Sequence, residues 1–349
     1  MGIQRCCHAG NRMTLLGFII CCSVFSGGHV HGASSYRLSR EGYSSAMKAL
    51  LIAIKDDPSD PQDHSWLAMY DEATGSIKRV AIPGKDFPAD FAWAPGHAAF
   101  VVTHIEGLTF FQEDDRSQGY RPKAIRYPTN TLCLFCSWSP NGQWLAVTCL
   151  GTNSVPCTLG LYKFDDKKLV KTSLKIGIFN VVWGHDGLLY AAEDKNVLTI
   201  ELKAGEPRVV RAVPLKLKEG LGLFYGMFAD QPLFLEYDEI RLGDKTLVTL
   251  DKPAKYRVIA TETILFVSTS PKQLSAFDRS GHEISKANPG RLIKFGSVKD
   301  PNTVYAWADS ELVRVCLEKG SLHIETVCDL HGVAETKGKQ EIDGSEANH

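Results

Sequence analysis

Cys136-Ser-Trp-Ser-Pro-Asn-Gly-Gln-Trp-Leu-Ala-Val-Thr-Cys149 reads as a strand ending at Trp138, a tight Ser-Pro-Asn-Gly turn, and a second strand running from Trp144 to Thr148. The same unit recurs in weaker form on either side, as Phe91-Ala-Trp-Ala-Pro-Gly96 and Val182-Trp-Gly-His-Asp-Gly187. Trp93, Trp138 and Trp183 are spaced by 45 residues, and Phe228 continues the series at the same interval. Self-similarity at a fixed period of about 40 to 50 residues is the mark of a propeller or an array.

Each aromatic turn leads into an apolar run: Phe100–His104, Leu145–Cys149, Leu189–Glu193 and Leu233–Tyr237. Leu265–Thr269 and Val304–Ala308 follow the same pattern later in the chain, and Leu51–Lys55 precedes them all. Near-continuous apolar runs of this length predict strands buried on both faces. Hairpin turns follow at Glu72–Gly75, Phe164–Lys167, Lys203–Gly205, Gly243–Lys245, Asp278–Gly281 and Lys319–Ser321. Four antiparallel strands per unit, repeated around a ring, predict an all-β fold: a single β-propeller with seven four-stranded blades over residues 34–330. Tyr36 and its neighbours are expected either as the innermost strand of the first blade or as an outer strand closing the last one.

The Trp138-Ser-Pro-Asn-Gly-Gln-Trp-Leu-Ala-Val unit resembles the WD40-like repeat of the TolB-type β-propellers, whose pattern is W-S-P-D-G-K-x-I-A-[FV]; Asn141 stands at the pattern's Asp. The resemblance implies an exported, non-catalytic platform that binds a protein or envelope polymer on one face of the disc, as a monomer. Similar turns occur in the seven-bladed lactonases of the 6-phosphogluconolactonase type. That second resemblance implies a hydrolase or isomerase with polar groups converging at the channel mouth. An axial pocket holding His, Arg and Glu together would favour the enzyme; small or apolar side chains there would favour the platform.

Charge narrows the partners. Lys plus Arg total 39 against 40 for Asp plus Glu in 349 residues, with no long basic run, so the field needed for nucleic-acid binding is missing. Residues 1–33 carry Arg5 and Arg12, an apolar run from Leu15 to Phe25, and then small residues, the order of a cleavable secretory signal. That run is about half the ~20 residues a membrane-spanning helix requires, so no span is expected after cleavage, and the mature protein is expected in the periplasm or outside the cell. Residues 331–349 are polar and are expected to form a mobile tail.

No Gly-x-Ser-x-Gly, P-loop or zinc-protease pattern occurs, and no catalytic residue, cofactor or metal ligand is assigned. The acidic stretch Asp56–His64 lacks the Gly and closing Glu of a calcium loop and reads as solvated. The loops after the buried strands carry Glu106, Glu193, Asp194, Asp238, Glu239 and Asp309, which the blade pattern puts on one disc face as a candidate binding surface for a basic partner. Cys133-Leu-Phe-Cys136 lies in a strand, where positions three apart point to opposite faces, so it reads as neither redox motif nor zinc site. Six cysteines remain beyond residue 33, an even count that permits disulfides in an exported chain. The short connection between Cys149 and Cys157 predicts that an antiparallel hairpin brings these two side by side as a bridge. The Lys319-Gly320 turn sets Cys316 opposite His323 and Cys328 opposite Glu311, so those two cysteines should not join each other.

Overall fold

The Ser139–Gly142 turn closes through a short network. Gly142 N–H donates to Ser139 O (2.8 Å), and Ser139 N–H donates to Trp144 O (2.7 Å). The Asn141 side-chain oxygen accepts from Ser139 Oγ (2.7 Å) and Gln143 N (3.1 Å). Gly142 takes the left-handed φ of 67° that the fourth position of this turn requires. Gly96 and Gly187 do the same in the flanking units, at φ 75° and 79°.

In the computed structural model, residues 35–330 are described apart from 56–64, 81–87, 105–106, 115–118, 127–130, 152–153, 167, 178–180, 194–195, 216–222 and 252–254. The described strands form seven antiparallel sheets, each a meander of four consecutive strands, with a short extra strand, Tyr43–Ser44, beside the first. The first strands are Ser35–Arg37, Asp90–Trp93, Thr131–Trp138, Val181–Trp183, Leu223–Phe228, Val258–Ala260 and Lys294–Asp300. They open blades 1 to 7 in order. Trp93, Trp138, Trp183 and Phe228 each end the first strand of their blade, so the period of the sequence is the period of the ring. The apolar runs are the second strands: Ala49–Lys55, Ala99–His104, Trp144–Gly151, Leu189–Glu193, Gln231–Glu236, Leu265–Ser270 and Thr303–Ala308.

Burial explains why these second strands are apolar throughout. A blade packs a neighbour against each of its faces, so successive side chains of an inner strand enter two different cores. The buried side chains accordingly separate into seven apolar layers, one at each blade–blade junction, including one that joins blade 7 to blade 1. The layer between blades 4 and 5 also holds an ion pair, Arg241 to Glu236 at 2.6 Å, with Glu236 only 2% exposed.

Ser35–Arg37 pairs with Ala49–Lys55 and is therefore the innermost strand of blade 1; blade 7 is built from C-terminal sequence alone. Among the described residues no strand is exchanged across the seam. Side chains close it instead: Glu72 of blade 1 accepts from Tyr43 OH (2.6 Å) and Lys299 Nζ, with Arg314 Nη1 at 3.7 Å. Burial works to raise the Glu72 carboxyl, but the hydrogen bonds from Lys299 and Tyr43 outweigh it and hold it below the ordinary carboxylate range.

The cysteine expectations need correction. Cys149 faces Thr158, not Cys157, and a bulge separates that pair from the Gly151–Ser154 pair near the hairpin end. The one-residue offset turns Cys157 to the other side of the sheet. Cys149 lies in the layer between blades 2 and 3, Cys157 in the layer between blades 3 and 4, and no disulfide joins them. A second bulge, between Cys133 and Cys136, cancels the alternation that would have set these two on opposite faces, so both enter the blade 2–3 layer. Cys316 does face His323, whereas a bulge at Leu312/Val313 moves Cys328 from Glu311 to Leu312.

Candidate functional site

The axis of the ring is filled by the chain's own segment. After Ser35–Arg37 the backbone turns through Leu38–Gly42 across the centre of the disc, closed locally by Gly42 N–H to Ser39 O (3.0 Å). From there it bonds to the other blades. Trp93 N–H of blade 2 donates to Glu41 O (2.9 Å), and Val298 N–H of blade 7 donates to Arg40 O (3.1 Å). The Glu41 carboxylate accepts from Ser137 Oγ (2.6 Å) and Trp138 N (2.8 Å) of blade 3, and Ser137 Oγ in turn accepts from Trp183 N (3.0 Å) of blade 4. Arg40 donates to Tyr225 O of blade 5 (3.0 Å) and Ala260 O of blade 6 (3.4 Å). Backbone N–H groups of all three repeat tryptophans thus feed one axial network.

Two glycines make room for it. A Cβ at Gly296 would lie 1.9 Å from Leu38 Cβ, and one at Gly226 would lie 2.8 Å from Arg40 Nη1. Two residues before the repeat aromatic, blades 2, 3 and 4 carry Phe91, Cys136 and Val181, but blade 5 carries Gly226. That substitution within the repeat was the available sequence signal for a chain crossing the axis.

Beside the segment remains a cavity of about 100 Å³, bordered by Arg40, Glu41, Asp90, Phe135, Tyr225 and Tyr256 among others. Asp90 Oδ2 accepts from Cys136 N (3.1 Å). Glu41 borders this space yet is enclosed by the blades. Burial raises its carboxyl from 4.5 to about 7, the nearby Asp90 charge adds to that, and the Ser137 and Trp138 hydrogen bonds and Arg40 oppose it. The axis is therefore neither the apolar plug expected of a platform nor the pocket expected of an enzyme. Arg and Glu are present, but no histidine lines the cavity among the described residues. Its volume is also well under the roughly 300 Å³ at which small-molecule sites begin.

The acidic loops are distributed as the blade meander dictates. Glu193 ends the second strand of blade 4, Asp238 lies in the connection between the second and third strands of blade 5 and Glu239 opens that third strand, and Asp309 occupies the same connection in blade 7. In a meander these connections all leave the sheet at one end, so the four carboxylates share a face of the disc. Glu106 and Asp194 fall at equivalent connections but lie outside the described residues. Sequence reading missed Tyr237, which stands beside Asp238 at φ 56° and is 58% exposed, the largest value among the exposed large hydrophobic side chains of the described residues.

Solved structures share this arrangement. A chain of the structure described as "Structure of U3-55K" superposes with a TM-score of 0.51 at 9% identity, over 72% of this chain and 84% of that one. The fold is that of a seven-bladed β-propeller. A chain from the "Crystal Structure of Mitotic Checkpoint Complex" gives a TM-score of 0.44 at 12% identity, with 72% and 84% of the two chains covered. No protein-family model and no curated protein matches this propeller's sequence. No helix among its described residues is long and apolar enough to cross a membrane.

Proposed function

We propose that this propeller is a non-catalytic binding platform for a basic protein partner, which it engages through the disc face carrying Glu193, Asp238, Glu239 and Asp309. The observation that carries the reading is the junction of Tyr237 with that acidic face. An exposed aromatic side chain supplies contact area at low entropic cost, and interface hot spots are enriched in tyrosine. The surrounding carboxylates would steer a cationic surface toward it. Axial charges engaged with the ring's own backbone support a structural role for the centre of the disc and leave recognition to its face. The signal-like residues 1–33 support export, and an envelope polymer with cationic groups would satisfy the same chemistry.

The test is a pull-down from envelope extract, with the captured species measured against the purified propeller and against the double variant Asp238→Lys, Glu239→Lys. The variant should weaken binding and flatten its salt dependence while lowering the melting temperature only slightly, because these surface charges are only half-buried and the Thr246 hydroxyl's hydrogen bond to Glu239 that is given up contributes about 1 kcal/mol. Undiminished binding by the variant would remove this face from the function.

A further inference from the structure

Blade 3 sets two thiols directly opposite each other. Cys133 of Thr131–Trp138 and Cys149 of Trp144–Gly151 are Cα partners in antiparallel register. Opposed residues in such a pair have Cα atoms about 4.5 or about 5.5 Å apart, inside the roughly 4.4–6.8 Å range of disulfides. Both side chains enter the apolar layer between blades 2 and 3, at 0% and 1% exposure, and a hydrogen bond joins the two side chains. The other cysteines are placed differently. Cys136 reaches the same layer but is registered against Val147, Cys157 lies on the far side of the sheet, and Cys316 and Cys328 face His323 and Leu312.

We propose that Cys133 and Cys149 are the pair this chain bridges when it folds under oxidising conditions, forming a cross-strand disulfide between the two innermost strands of blade 3. One thiolate attacks a low-molecular-weight disulfide such as oxidised glutathione and releases one glutathione thiolate. The second cysteine thiolate then attacks the mixed disulfide and releases the other. Two cysteine thiols lose two protons and two electrons, and one glutathione disulfide becomes two thiols. The hydrogen bond to Cys149, together with burial, pushes the Cys133 thiol far above its ordinary value, so the thiolate is scarce once the layer has closed. The bond therefore forms while blade 3 is still open and is shielded from reductant afterwards. It also fastens the strand whose Cys136 N–H holds Asp90 and whose Ser137 and Trp138 hold Glu41, tying redox state to the axial clamp.

Refolding the full chain from denaturant in a glutathione redox buffer, blocking thiols, and mapping chymotryptic peptides without reduction tests this. Trypsin is unsuitable because residues 127–163 contain no internal Lys or Arg and hold Cys133, Cys136, Cys149 and Cys157 in one peptide. The expected product links Cys133 to Cys149 with the remaining cysteines blocked. Reduced protein that is already folded should form the same link at least roughly tenfold more slowly in that buffer. Refolded protein with every cysteine blocked, or a bridge that uses Cys136 or Cys157, would overturn the proposal.

Discussion

Replacing Glu41 by Gln should change how stability depends on pH more than it changes stability at any one pH. The folded carboxyl titrates near 7 against an ordinary value of 4.5, because burial and the Asp90 charge outweigh Ser137, Trp138 and Arg40. A folded value above the unfolded one means that the native state holds a proton the unfolded chain has released. The contribution is thus fully present below pH 4.5 and is lost as pH rises through 7. At about 1.36 kcal/mol per pKa unit, the loss amounts to roughly 3 kcal/mol across that window. Glutamine is permanently neutral and lacks this slope. Its amide also sets an NH₂ against one of the two donors, Ser137 O–H or Trp138 N–H, but that cost does not vary with pH. Urea unfolding at pH 5, 6, 7 and 8 should therefore show the stability difference between variant and wild type moving by roughly 2.5 kcal/mol in the variant's favour as pH rises. Groups common to both proteins cancel in that difference. Parallel profiles for the two proteins would refute the assignment of a buried, titrating carboxyl to the axis.

Glu72 should show the opposite dependence: its lowered carboxyl stabilises the seam above the ordinary carboxylate range and loses that effect as pH falls, so Lys299→Met should destabilise by about 1–3 kcal/mol at pH 7 and less at pH 3, read by thermal melts. Gly296→Ala should cost at least about 1–3 kcal/mol through overpacking of its Cβ against that of Leu38, and in denaturant unfolding that cost should shrink in a Leu38→Gly background, which removes the opposing Cβ. Trp138→Phe should cost far less than the roughly 3–5 kcal/mol expected of Trp138→Ala, since the indole N–H has no acceptor among the described residues and Phe228 already occupies the equivalent position in blade 5; equal losses for the two variants would contradict it.

Sequence alone determined the ring. The spacing of Trp93, Trp138, Trp183 and Phe228, the apolar second strands and the Gly and Asp turns are local, periodic signals, and each is repeated by every blade it serves. Even the weak units from Ile259 and Phe295 onward take the same places, as first strands of blades 6 and 7. The common end of the sheets from which these loops leave was legible for the same reason, because a meander returns every second-to-third-strand connection to one side. Only the tertiary structure decided the centre and the cysteines. Leu38–Gly42 carries no repeat signal, and its partners in blades 5, 6 and 7 lie about 185 to 260 residues away, so nothing local announces that Arg40 and Glu41 cross the axis. The bulge between Cys133 and Cys136 shifts the first strand of blade 3 by one residue against the second, and on the other side of the second strand Cys157 sits one position from Thr158, the residue that faces Cys149. In a sheet packed on both faces, a one-residue shift moves a side chain from one blade junction to the next, which is why Cys149 meets Cys133 and not Cys157.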